Sequence, residues 1–353
     1  MFSSALIFAF TLLLLAGGAM FCCNRYGDLL FPLCRDLSKK AMNFLADLTG
    51  KLPFAVWEVL VALLAAAFLA WLVYVIIKKK PFLNWLGWLL RLLSLAVFLF
   101  VFLWGLNHYA PPISETLGLD IRESTEEELT AATKYYMSTA EYYAELMNRN
   151  EDGSLTDRDF AELAAIAGES FTALGEQYPL FQCSTAPVKK ASLTRLIFDY
   201  TGTTGLFVCF TGESTVSPDT YAASLPHTMC HEVAHRCGVA GEDEANFAAF
   251  LACVESEDLR FCYSGWYSAF IYCYNALYKE NKTAALALWS DDTALLQADC
   301  HGANVHYEPY EGKVQDAATK VNDTYLKVFS EESGVQSYGE AADYLIAWYR
   351  ERG

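Results

Sequence analysis

The sequence predicts a multi-helix membrane anchor followed by a mainly α-helical (α+β) ectodomain, with a small β-hairpin or sheet near a metal-binding helix. Three observations predict it. Long apolar runs are confined to the first third of the chain, acidic residues crowd the remainder, and His231-Glu232-Val233-Ala234-His235 sets two imidazoles four residues apart between helix start and stop signals. Histidines at that spacing share one helix face and can bind a single metal ion.

The anchor comes first. Spans are expected at about 3–22, 54–77 and 82–106, the second interrupted only by Glu58 and the third only by Arg91. Each run is long enough, at about 1.5 Å per helical residue, to cross a hydrocarbon core of about 30 Å. The first run lacks a basic leader and a small-x-small cleavage site, and Ala19-Met20-Phe21 before Cys22 makes a poor lipobox, so an uncleaved span is expected. Lys78-Lys79-Lys80 between the second and third spans favours a cytoplasmic loop there. The chain then reads as a multi-pass cell-membrane protein with its C-terminal domain extracytoplasmic, although the diffuse charges of 23–53 pull weakly the other way. Two ionisable residues are too few to suggest a transporter or channel.

Domain division is expected at 1–106 and 107–353. Of the 42 acidic residues 38 lie beyond Leu106, against 16 of the 25 Lys and Arg, which gives that part a net charge of −22. Such a domain repels nucleic acid and anionic lipid. Of 11 cysteines eight lie in it, with no C-x-x-C pair, which argues against a zinc ribbon. Outside the cell some could form disulfides; buried free thiols are the alternative.

Within 23–53 an amphipathic connector is expected, helical around Leu33–Leu48 at the membrane surface. Thr125-Glu126-Glu127-Glu128 starts a helix running to about Asn148, and Thr156 can cap another over 157–175. Ile197 and Tyr200 lead into the β-prone run Leu206–Phe210, read as a hairpin or small sheet. Its end, Phe210-Thr211-Gly212-Glu213, could receive an extended substrate by strand addition, with an ordinary core hairpin as the equal alternative. Ser224 as N-cap, Pro226 in the first turn and Gly238 as the stop predict a helix over Leu225–Cys237. A second helix should begin near Asp243. An aromatic one around Gly265–Leu277 is too polar for a fourth span and should pack behind the site. Val314–Ser330 and Tyr338–Arg350 should close the chain.

Catalytic zinc takes three protein ligands and keeps one open position. His231 and His235 supply two, and Glu242 or Glu244 can supply the third. Glu232, beside the first ligand, suits a general base acting on a water activated by the metal. An oxyanion stabiliser is expected, with Tyr325, Tyr338 and His306 as donors that the sequence does not rank. His227 can line the site or serve structurally.

The run Glu242-Asp243-Glu244-Ala245-Asn246 reads E-x-x-A-N and resembles the E-x-x-A-D of membrane zinc peptidases of the gluzincin type. That resemblance implies a zincin-like domain in which Glu242 binds one Zn2+ and Asn246 supports a zinc-binding histidine, with Glu244 the alternative ligand. The chain departs from the pattern in its shorter spacing from His235 and in Asn where an acid stands. Three spans, Thr211-Gly212-Glu213, His231–Gly238, Glu242–Phe247, Val321–Lys327 and Gly334–Gly339 together resemble the uncharacterised bacterial membrane family called domain of unknown function 3810. The expected function is a membrane-anchored zinc metalloendopeptidase acting on a peptide or protein substrate. A non-catalytic metal-binding sensor or scaffold is the alternative.

Overall fold

The computed structural model describes residues 2–156, 158–328 and 337–352. They are mostly helical, with one small mixed three-stranded sheet. Two compact units result: residues 1–110 with 208–213, and residues 111–207 with 214–353.

The first unit holds α1 (Phe2–Thr49), α2 (Val56–Ile77) and α3 (Phe82–Leu103). Among the described residues three helical stretches are long and apolar enough to cross a membrane: Phe2–Gly27, Val56–Ile77 and Phe82–Leu103. The first span and the amphipathic connector form one helix, broken at Tyr26 (φ −134, ψ 36), with Pro32 just beyond the break removing a further backbone donor. Ala5, Ala9, Ala16 and Cys23 form a buried face of small residues on α1. Small residues let helix backbones approach closely, and a Cβ added at Gly87 of α3 would lie 3.4 Å from the Ala5 Cβ. Arg91 of α3 donates to Ser4 Oγ of α1 at 2.8 Å.

The tip of a hairpin, Val208–Glu213, clusters with this unit. Gly212 has φ +67, and a Cβ there would come within 2.3 Å of the Met42 carbonyl oxygen and 2.6 Å of the Ala46 nitrogen. Both the backbone angle and the space demand glycine. Thr49 Oγ1 donates to the Thr211 carbonyl at 3.1 Å. The Glu213 carboxylate accepts from the N–H groups of Val56 (2.8 Å) and Trp57 (2.9 Å). It thereby caps α2, whose preceding residue Ala55 has no side chain that could do so.

The second unit runs through α4 (Ile113–Leu117), α5 (Glu126–Leu146), α6 (Phe160–Glu169), α7 (Thr172–Gln177), α8 (Arg195–Thr201), α9 (Leu225–Arg236) and α10 (Glu242–Val254). It continues through α11 (Leu259–Glu280), α12 (Lys282–Leu286), α13 (Ala294–Tyr307), α14 (Lys313–Val328) and α15 (Ser337–Arg352). The strands β1 (Lys189–Lys190), β2 (Gly205–Val208) and β3 (Glu213–Val216) lie in the order β1-β3-β2, with β1 parallel to β3. Its core is aromatic: the Phe250 ring centroid lies 5.8 Å from Tyr136, 5.3 Å from Trp266 and 5.2 Å from Trp348, joining α5, α10, α11 and α15. At Gly265 a Cβ would lie 2.7 Å from the Cys253 Cβ, so α11 presses close against α10.

Several elements differ from expectation for local reasons. Thr125 and Glu128 form the reciprocal capping box that starts α5. Thr156 caps nothing; its hydroxyl donates to the Asn148 carbonyl, and Asp159 caps α6 instead. Ile197 and Tyr200 belong to the helix α8 rather than to the approach of a strand. Ser224 has helical φ/ψ and makes no side-chain cap, leaving Pro226 in the first turn of α9 to start the helix without wasting a donor. Helix α11 is longer than expected and largely buried, as a helix packed behind the site should be.

Candidate metal centre

The site is built on α9, the turn that ends it, and the first turn of α10. Gly238, at φ +94, ends α9 by donating to the His235 carbonyl at 2.9 Å while Val239 donates to the Ala234 carbonyl at 3.2 Å. This pair of bonds is the Schellman arrangement, which needs a left-handed residue. It also turns the Val239 carbonyl back toward the helix, where it accepts from His235 Nδ1 at 2.7 Å. His235 therefore keeps Nε2 as its outward atom.

His231 is fixed in the same way from α10. Glu242 and Asn246 are four residues apart and share one helix face. Asn246 Oδ1 accepts from His231 Nδ1 at 2.8 Å and from the Tyr272 hydroxyl of α11 at 2.9 Å. The two imidazole Nε2 atoms then face one carboxylate: Glu242 Oε2 lies 3.2 Å from His231 Nε2 and 3.8 Å from His235 Nε2. Ligand atoms of His231, His235 and Glu242 all lie within 4.8 Å of one another.

Glu244 faces elsewhere. Its Oε1 accepts from the Ile113 N–H at 2.8 Å and the Tyr344 hydroxyl at 3.0 Å, tying α10 to α4 and α15. Two residues further along a helix is most of half a turn away, so Glu242 and Glu244 cannot both face the histidines.

Glu232 is buried, and its Oε2 has no hydrogen-bond partner among the described residues. Burial pushes its carboxyl up to about 7; Glu242 adds to this, against the pull of His231 and His235. Burial opposes charge on His235, but the hydrogen bond and charge of Glu242 prevail and raise it to about 9. Burial likewise opposes ionisation of Glu242, yet its bonds to the two histidines hold it well below the usual carboxylate range. His227 is buried, pulled down to about 3 by burial and by His231, and its Nε2 donates to the Asn246 carbonyl at 3.2 Å. It supports α10 and does not face the cluster.

The base of the hairpin closes over Glu232. Ser214 Oγ donates to the Glu232 carbonyl at 2.7 Å. A Cβ at Gly205 would fall 2.3 Å from Glu232 Oε1 and 2.7 Å from its Cδ. Only a residue without a side chain leaves that carboxylate its position.

A family model described as a protein of unknown function (DUF3810) matches residues 35–346. The chain belongs to that family. No curated protein and no solved structure matches it.

In this family member the other predicted residues lie apart from the cluster. Phe210, Thr211, Gly212 and Glu213 sit at the hairpin tip, within the unit of α1–α3; the hairpin residues that touch Glu232 are Gly205 and Ser214. His306 donates through Nε2 to the Asp219 carbonyl and packs against Tyr221 and Tyr307. Tyr325 lies on α14 beside Val321 and Val328. The Tyr338 side chain lies outside the described residues. Tyr272 went unnoticed in the sequence, because nothing in an aromatic helix singles out one of 21 tyrosines. Burial, with the charge of Glu242 adding to it, holds its hydroxyl well above the usual range, so it is a neutral donor.

Proposed function

We propose that the chain is a membrane-anchored zinc metallopeptidase with a zincin-like, extracytoplasmic catalytic domain. The observation that carries this reading is the convergence of His231 Nε2, His235 Nε2 and Glu242 Oε2, with each imidazole's Nδ1 already engaged. Two imidazoles and a carboxylate are a donor set of catalytic zinc, and His–carbonyl and His–amide bonds of this kind favour the tautomer that presents Nε2. A zinc ion held there supplies Lewis acidity toward water and toward a carbonyl group.

The chain's own residues supply the rest. Glu232 is one position from His231 and buried, its Oε2 has no hydrogen-bond partner among the described residues, and in the metal-free protein burial raises its proton affinity, which suits a group that takes up a proton and returns it. It serves as the general base and then hands the proton to the leaving amine. Asn246, held by Tyr272, keeps His231 oriented, and the Val239 carbonyl does the same for His235. Gly205 leaves room for the Glu232 carboxylate and Ser214 holds the Glu232 backbone carbonyl, so the base of the hairpin keeps this buried residue in place.

The test is Glu232→Gln in the full-length protein, with zinc quantified and a peptide library as substrate. Stoichiometric zinc in both proteins with cleavage only in the wild type is expected. A wild type that binds zinc without cleaving any peptide would instead support the sensor or scaffold reading. A wild type without zinc ends both.

A further inference from the structure

We propose that Cys183 and Cys237 are the two halves of a disulfide that fastens the C-terminal end of the metal-bearing helix to the strap before β1. Their Sγ atoms lie 2.9 Å apart. A bonded pair lies at about 2.04 Å, so closure requires a shift of under about 1 Å. The surrounding contacts already bring these two segments together. Arg236, the last residue of α9, donates to the carbonyls of Ser184 and Ala186, and Cys237 Sγ donates to the Phe181 carbonyl at 3.3 Å. Cys237 is fully buried while Cys183 is partly exposed, so Cys183 is the sulfur that can reach an incoming disulfide first. All 11 cysteines, Cys183 and Cys237 included, stand as thiols in this structure, and several of the others are buried in the helical core.

The proposal rests on the extracytoplasmic orientation, where disulfides persist, and not on the metal reading. The chemistry balances as a thiol–disulfide exchange. Cys183 as thiolate attacks the disulfide of an extracytoplasmic thiol oxidoreductase and forms a mixed disulfide with release of one thiol. Cys237 then displaces the second thiol, so two protons and two electrons leave this chain and the partner's disulfide is reduced. The bond closes a loop of about 55 residues that contains β1, α8, the hairpin and all of α9, and a loop of that length restricts the unfolded chain substantially.

The experiment uses the full-length protein, with free thiols blocked by N-ethylmaleimide in isolated membranes before any reductant is added. Peptide mass spectrometry should find the Cys183 and Cys237 peptides linked, and separated only after reduction. The detergent-solubilised protein should lose about 5–10 °C of Tm on reduction. Cys183→Ser should lose a similar amount and become insensitive to reductant, whereas Cys273→Ser should remain sensitive. Maleimide on both Cys183 and Cys237, or either one linked to a different cysteine, overturns the proposal. Zinc content has no bearing on that readout, so failure here is distinguishable from failure of the peptidase reading.

Discussion

Gly205→Ala tests the site without removing any of its functional groups. The new Cβ would stand 2.3 Å from Glu232 Oε1, where ordinary contact begins at 3.4 Å. The carboxylate must therefore retreat by about 1 Å, and a misplacement of that size costs about 100-fold in rate. The atoms struck are the end of a flexible side chain, so the stability loss should sit near the lower end of the about 1–3 kcal/mol typical of overpacking. His231, His235 and Glu242 are held by Asn246, Val239 and one another, not by Gly205. Peptide hydrolysis should thus fall about 100-fold while the zinc Kd, measured by competition with a chromogenic chelator, stays within about threefold. Turnover within threefold of wild type would refute the idea that Gly205 positions the general base. Loss of zinc together with activity would refute the separation of base from ligands.

Three further outcomes follow from the same geometry. Glu242→Gln should weaken zinc binding by more than tenfold; Glu244→Ala should leave it unchanged but lower the unfolding free energy by about 1–3 kcal/mol through its lost bonds to Ile113 and Tyr344. Asn246→Ala should weaken zinc binding about 10–100-fold, whereas Asn246→Asp, which still accepts from His231 and adds charge, should bind at least as well as wild type. In metal-free protein His227, held near 3 in the fold, refuses a proton that the unfolded chain accepts below about 6.5. Its contribution is complete above that pH and is lost as pH falls. The stability difference between wild type and His227→Gln should then shift by about 1.4 kcal/mol per pH unit between 6.5 and 4.5, read from denaturant midpoints. Taking the difference removes Glu232, whose raised carboxyl acts in the opposite sense over that range.

What could be read from the chain in advance was what periodicity and capping encode. The three apolar spans, α5 with its Thr125 cap, and the helices on either side of Gly238 are local features, each written within one stretch of sequence. Helix α8 was hidden for the opposite reason. Leu196, Ile197 and Tyr200 have helical spacing, but the β-prone run that follows drew Ile197 and Tyr200 into its approach, and all three are exposed rather than core. The choice between Glu242 and Glu244 depends on which face of α10 meets α9, and that is set by Tyr344 and Ile113, which lie far away in sequence. Tyr272 and Gly205 have roles only because distant elements fold against α9 and α10, and single-sequence spacing carries no trace of such contacts.

The cap that Glu213 provides to α2 means that the anchor is not finished when its last span has been synthesised. The first two N–H groups of α2 receive their acceptor more than a hundred residues later in translation, and the glycine-sized niche beside Met42 and Ala46 is filled at the same moment. A chain cut after Ala110 would leave that niche and those donors exposed. A chain begun at Pro111 would carry Cys209, Phe210 and Glu213 with nothing to receive them. Excising either unit is therefore a poor way to study this protein, and maturation of the anchor has to wait for the hairpin.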